Sequence, residues 1–212
     1  KEDFCFRGRA VGHPLIPSTS RVTSDFFMQG KPKIALVTGS NMAGKSTFLR
    51  SLGINTILAQ MGAPVCAQAL ELSPLRLMSS MRIADNLAEN TSTFYAELKK
   101  LKTIIEAVNR GEHLLVLLDE ILRGTNSYDR HTGSAALVEQ MIRHNAVAVI
   151  ATHDVELATL QSRYPAAIEN YHFDVQVEGE ELYFDYRLKP GVCTSLNASI
   201  LMKKIGIELE KE

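Results

Sequence analysis

The stretch Ile34-Ala35-Leu36-Val37-Thr38-Gly39-Ser40-Asn41-Met42-Ala43-Gly44-Lys45-Ser46-Thr47 decides how the rest of the chain is read. Its first five residues form a short, partly β-branched apolar run, the pattern of a buried strand. From Gly39 to Ser46 it fits G-x-x-x-x-G-K-[ST] without mismatch. A loop that wraps an anion must curl until several N–H groups converge on phosphate oxygens, and its glycines permit that curl. A helix through about Gln60 should follow and aim its positive N-terminal dipole at the same anion. In such a loop Lys45 reaches the β- and γ-phosphates and Ser46 ligates Mg²⁺. A chance match in a chain this long is on the order of one in a hundred. Gly39 through Thr47 are therefore the expected nucleotide-binding residues.

Outward from that loop, apolar runs alternate with helical periodicities, which predicts an α/β fold with a largely parallel central sheet flanked by helices. Arg76 to Arg82 reads as a strand. Phe94, Leu98, Leu101, Ile105 and Val108 recur at spacings of three and four, one apolar helical face. Leu114 to Leu118 and Ala146 to Ala151 suit central strands buried on both faces. Ser134 to Arg143 reads as the crossover helix between them. Tyr171 to Val177 and Leu182 to Leu188 alternate around Glu178-Gly179-Glu180, which predicts a peripheral antiparallel hairpin. The first thirty residues, with Pro14 and Pro17, suggest irregular strands and a loop.

The run Leu114 to Leu118 ends in Asp119-Glu120. A carboxylate at the tip of a buried strand, beside a phosphate loop, is suited to hold the magnesium shell, and Asp119 takes that role. Glu120 beside it can polarise an attacking water as general base. His153, after the strand Ala146 to Ala151, falls at the carboxyl edge where open α/β sheets bind ligands, within reach of a γ-phosphate. His13, His113, His131, His144 and His172 have no comparable context. Asn90-Thr91-Ser92-Thr93 precedes Phe94 and supplies helix caps; a helix N-terminus with free hydroxyls is also an anion site.

Composition narrows the setting. With 23 Lys+Arg against 24 Asp+Glu the net charge is -1, which argues against strong general attraction to nucleic acid by this segment. Apolar residues at 45% in 212 residues support one well-filled core, so residues 1–212 are expected to form a single domain. Cys5, Cys66 and Cys193 lie far apart, with neither disulfide-framework nor zinc-ligand spacing, which suits a reducing, cytoplasmic setting. The longest apolar runs are too short to span a bilayer, so no membrane contact is expected from this segment. An opening at Lys1 rather than Met reads as a C-terminal piece cut from a longer protein.

Taken together, these residues resemble the ATPase domain of MutS-type mismatch-repair proteins across nearly the whole chain. Thr38 to Thr47 looks like the family's T-G-P-N-M-G-G-K-S-T. Arg82-Ile83 with Asp85-Asn86-Leu87, then Ser92-Thr93-Phe94 and Glu97, is similar to R-x-x-A-D-D-L…S-T-F-x-x-E. Leu118-Asp119-Glu120-Ile121 with Arg123-Gly124-Thr125-Asn126-Ser127-Tyr128-Asp129 resembles D-E-I-x-R-G-T-S-T-x-D-G, and Ala151-Thr152-His153 matches A-T-H. The resemblance implies an ABC-type P-loop fold that binds and hydrolyses ATP with Mg²⁺. It also implies a head-to-tail dimer with two composite sites. Ser92 would then reach the γ-phosphate of the partner subunit, and the loop Gly124 to Asp129, with Asn126 and Ser127, would lie at the dimer interface. Tyr186 matches an aromatic that stacks on adenine. Gly12-His13-Pro14-Leu15 resembles the family's opening R-H-P-V, and Val22 lies in the loop that follows, on adenine's other face. DNA would be handled by regions outside this chain.

The sequence departs from the family at Ser40, Ala43, Leu122, Asn126-Ser127, Arg130, Asp154 and the segment Ser195 to Ser199, which points to a divergent branch. Ala43 adds a Cβ inside the loop. The leading expectation is a hydrolytic ATPase domain; the alternative is a nucleotide-gated dimerisation module with little turnover. A small-molecule kinase leaves Ser92, the 119–129 block and His153 without a role. A GTPase is disfavoured because the chain carries no N-K-x-D base-reading motif.

Overall fold

The computed structural model describes residues 4–40, 42–81, 93–178 and 181–193. The chain opens with β1 (Cys5–Val11) and β2 (Ser24–Gln29), then runs through β3 (Lys33–Thr38) into α1 (Lys45–Gln60). Next come β4 (Ala69–Leu72), β5 (Arg76–Ser80), α2 (Thr93–Asn109), β6 (Leu114–Asp119), α3 (Ser127–Arg143) and β7 (Val147–Ala151). A 3₁₀ turn at Val155–Thr159 leads into α4 (Leu160–Arg163), followed by β8 (Ile168–Phe173), β9 (Gln176–Glu178), β10 (Glu181–Tyr183) and β11 (Leu188–Pro190).

A six-stranded sheet in the order β11-β8-β3-β7-β6-β5 forms the centre. Its inner pairings, β8 with β3, β3 with β7, β7 with β6 and β6 with β5, are all parallel; β11 joins β8 antiparallel at the edge. Parallel strands are buried on both faces, which explains why β6 and β7 read as continuous apolar runs rather than alternating ones. Side chains still alternate between faces. Ala35, Val37, Leu115, Leu117, Val147 and Val149 face one core with α1, whereas Ile34, Leu36, Leu114, Val116, Ala148 and Ile150 face another with α2 and α3.

A second, antiparallel sheet in the order β2-β1-β4 covers the outer side of α1. Phe26 of β2 packs edge-on against Phe48 of α1 at 5.3 Å between ring centroids. Helix α1 is thus enclosed between two sheets. That accounts for its weak amphipathicity and for its buried Ser51 and Thr56, which donate to the Thr47 and Leu52 carbonyls of their own helix. Gly53 lets the helix approach the central sheet: a Cβ there would meet Leu117 at 3.1 Å. Truncating Leu117, fully buried beneath it, to Ala would cost about 2–5 kcal/mol.

Two expectations require correction. Tyr171 to Phe173 belongs to β8, inside the parallel sheet, and only β9 and β10 form a hairpin, while Leu188 returns to β8. Strand β8 is covered less completely than β6 or β7, so its half-exposed residues mimic a hairpin's alternation. Helix α3 also starts at Ser127, seven residues before Ser134, because the Asn126 side chain caps it by accepting the Asp129 amide at 2.9 Å.

Candidate functional site

The carboxyl ends of β3, β7 and β6 lie side by side, since Val37 pairs with Ala151 and Ala151 pairs with Asp119. Ligands of open parallel sheets bind at this edge. The glycine-rich loop, Asp119-Glu120 and His153 therefore arrive together from segments far apart in the sequence.

Glycine is required at both ends of the loop. Gly39 has φ 136°, and a Cβ there would lie 2.6 Å from the Phe173 carbonyl oxygen; Gly44 has φ 104° and caps α1. Ala43 causes no conflict, because its methyl group is fully buried in the core shared with α1. Lys45 is buried, and its Nζ donates to the Gly39 and Ser40 carbonyl oxygens at 2.6 and 2.9 Å. Burial pulls the Lys45 ammonium below its ordinary pKa, and the Glu120 and Asp119 carboxylates oppose that pull.

Glu120 occupies a left-handed backbone position, φ 50°, with its amide on the Ala151 carbonyl at 2.9 Å. Its buried carboxylate pairs with the Arg123 guanidinium, stands 3.5 Å from Lys45 Nζ, and lies 3.6 Å from His153 Nδ1. Asp119 is buried as well, and its Oδ1 finds no hydrogen-bond partner among the described residues. A buried acceptor left unsatisfied costs about 1–3 kcal/mol, more when charged. An oxygen-ligated divalent cation would remove that cost, so the donor set of Asp119 with the Ser46 hydroxyl fits Mg²⁺.

Beside the loop lies a cavity of about 280 Å³. Met42, Gly44, Ser46 and Thr47 line it from the loop and α1, Val22 from the segment 12–23, and Tyr186 from the segment before β11. Tyr186 stacks on Phe184, and its ring would lie 3.2 Å from a Cβ on Gly44. His13, Ile16 and Ser20 share the wall with Val22, a placement that residue spacing alone does not give. The His-Pro dipeptide directly after β1 is the signal that points to it. Burial, then Arg50 and Arg21, hold the His13 imidazole below its ordinary pKa, which favours the neutral ring. Its Nδ1 accepts the Leu15 amide at 3.3 Å, which leaves the proton on Nε2.

The remaining candidates lie elsewhere. Asn126 and Ser127 form the start of α3, where Asn126 Nδ2 also donates to Asp129 at 2.7 Å, and neither lines the cavity. Asn41, Ser92, the Arg82 to Leu87 block and the segment Ser195 to Ser199 fall outside the described residues. The first turn of α2 is nonetheless docked beside the segment that follows β6. Glu97 Oε1 accepts the Leu122 amide at 2.6 Å, and Gly124 abuts the Phe94 ring. Burial raises the Glu97 pKa, against the opposing pull of the Leu122 amide and of Arg123. On the other side, His131 Nδ1 stands 2.6 Å from Asp154 Oδ2, tying α3 to the segment after His153.

A largely parallel α/β sheet flanked by helices, with a glycine-rich loop and two buried carboxylates converging at one edge, defines the class. A family model described as MutS domain V matches residues 35–205, and the chain belongs to that family. It is 32% identical over 202 residues to the DNA mismatch repair protein MutS of Thermotoga petrophila, covering 94% of this chain and 24% of that protein. Identity reaches 36% over 207 residues with the DNA mismatch repair protein MutS of Nitratidesulfovibrio vulgaris (94% and 22%) and 36% over 206 with that of Treponema pallidum (92% and 22%). The chain thus spans about a quarter of the length of these relatives. No helix among the described residues is long and apolar enough to cross a membrane.

Proposed function

We propose that this chain is the Mg²⁺-dependent, ATP-hydrolysing domain of a MutS-like, DNA-handling protein, built as an ABC-type P-loop fold. The observation that carries the reading is the juxtaposition of Lys45 with Glu120 at 3.5 Å, next to an Asp119 oxygen that lacks a partner among the described residues. Mg²⁺ would neutralise charge on the terminal phosphates, with Ser46 and Asp119 as its protein ligands. Loop amides from Gly39 through Thr47 and the α1 dipole would hold the phosphates. Lys45 would leave the Gly39 and Ser40 carbonyls for phosphate oxygens, gaining bonds to charged acceptors in place of neutral ones. Glu120 would take the proton of the attacking water, and His153 would contact the γ-phosphate. Tyr186 and Val22, on the cavity beside the loop, suit the two faces of a base.

The working unit is a head-to-tail dimer of such chains in the cytoplasm, in which Ser92, Asn126 and Ser127 complete the partner's site. DNA contact belongs to regions of the parent protein beyond residues 1–212.

One observation favours a second reading, a nucleotide-gated dimerisation module with little turnover. The Glu120 carboxylate is already engaged by Arg123 and Lys45, and a carboxylate so paired is a poor base until that cluster opens. Single-turnover hydrolysis by wild type and Glu120→Gln separates the two. For a hydrolase, the variant binds ATP normally and loses a factor of about 10²–10⁴ in the chemical step. Equal single-turnover rates would remove Glu120 from catalysis.

A further inference from the structure

The cavity wall formed by residues 12–23 belongs to neither sheet: β1 ends at Val11 and β2 starts at Ser24. A segment of this length without regular structure needs its shape imposed by side chains, because each residue fixed in one backbone conformation costs about 1–2 kcal/mol of entropy. Beyond the segment's own turns, two side chains anchor its ends. Asn55, in the third turn of α1 and fully buried, donates from Nδ2 to the Gly12 carbonyl at 2.9 Å and to the Ser51 carbonyl at 2.8 Å. Its Oδ1 accepts the Cys66 amide at 2.6 Å, and the Gly12 amide closes the ring by donating to the Cys66 carbonyl at 2.9 Å. Arg21 spans the other end of the segment. Its Nε and Nη2 donate to the Ile16 carbonyl at 2.9 and 2.6 Å, drawing the chain into a closed loop behind His13 and Val22.

We infer that Asn55 and Arg21 are positioning residues for the base-side wall of the nucleotide cavity, and that Asn55 couples this wall to the phosphate-binding helix. Helix α1 presents Lys45 and Ser46 at its first turn and Asn55 ten residues from Lys45, about 15 Å further along the axis. One rigid element therefore sets both the phosphate anchor and the root of the wall that faces Tyr186. An amide suits the root because it can donate to the Gly12 carbonyl and accept from the Cys66 amide at once; leucine or aspartate can do at most one. Neither residue lines the cavity itself, so both act through the loop.

This inference rests on reading the cavity as the base pocket of a nucleotide site, and the test separates the two claims. Calorimetry would compare Mg·ATP with inorganic tripolyphosphate, which occupies the phosphate loop and has no base, on wild type, Asn55→Leu and Arg21→Ala. We expect ATP affinity to fall at least tenfold in each folded variant, while tripolyphosphate affinity stays within twofold of wild type. If Asn55→Leu fails to fold, Arg21→Ala decides, because among the described residues its guanidinium donates to the half-buried loop carbonyls of Ile16 and Pro14. Unchanged ATP affinity would overturn the positioning role, and so would a parallel fall in tripolyphosphate affinity, because the damage would then reach the phosphate loop and not the wall alone. A wild-type protein that binds neither ligand would overturn the nucleotide reading and this inference with it.

Discussion

Phe94 and Gly124 are so close that a Cβ on the glycine would lie 2.6 Å from the phenylalanine ring. The contact packs the first turn of α2 against the segment that follows Glu120. Gly124→Ala must push them apart. Destabilisation of about 1–3 kcal/mol is expected for such overpacking. A denaturation series with Gly124→Ala, Phe94→Leu and the double variant checks it, since the smaller side chain should recover part of the stability. Simple additivity would mean the two residues do not press on each other.

Lys45→Ala should abolish most ATP binding. Each hydrogen bond from the ammonium to a phosphate oxygen is worth about 1.5–3 kcal/mol, and no other cation lies within the loop from Gly39 to Ser46. The measurement is calorimetric titration with Mg·ATP. Unchanged affinity would rule out the loop as the phosphate site.

Glu97 predicts a pH effect of definite sign. Its folded-state pKa is raised above 4.5, so between 4.5 and the folded value the native chain holds more protons than the unfolded one. Its contribution to stability is present below 4.5 and is lost as pH rises through the folded pKa. Glu97→Gln keeps an oxygen for the Leu122 amide and cannot ionise. The stability of Glu97→Gln relative to wild type should therefore increase from pH 4 to pH 7, measured by urea denaturation at each pH. A difference that is flat across that range would show that burial of the carboxylate carries no penalty.

Composite sites make a complementation prediction. Lys45→Ala and Ser92→Ala chains, each inactive alone, should regain ATPase activity when mixed, because one site of each mixed dimer has both residues intact. Specific activity should also rise with protein concentration, as an interface formed from free solution requires. Full hydrolysis by Ser92→Ala, independent of concentration, would place the whole site within one chain.

The sheet core and the loop are legible in the sequence because their determinants are local. β6 and β7 carry short apolar runs of strand length, and Gly39 and Gly44 mark positions where the backbone excludes a side chain. Asp119 and Glu120 follow from their place at the end of β6. The cavity wall is harder to read. Beyond the His13-Pro14 dipeptide, Ile16 and Ser20 gain meaning when Asn55, some forty residues later, draws Gly12 against α1, and nothing in residues 12–23 announces that partner. Strand β8 misleads for a related reason: its periodicity reports how well it is covered, and its partner β3 lies more than a hundred residues upstream. The early start of α3 is different, because Asn126 and Asp129 stand at cap spacing and the signal is local.

The order of strands has a consequence for the chain as it is made. β3 occupies the middle of the central sheet, yet both of its neighbours come late: Lys33 pairs with Val147, and Ile34 pairs with Ile168. During synthesis the whole glycine-rich loop emerges more than a hundred residues ahead of those neighbours, attached to an apolar strand whose two edges are still bare. Domains of such high contact order fold slowly, and bare strand edges invite association with other chains. Until β7 and β8 leave the ribosome, the nascent chain holds every residue of the loop without the scaffold that shapes it. It is in that interval that chaperones have the most to protect.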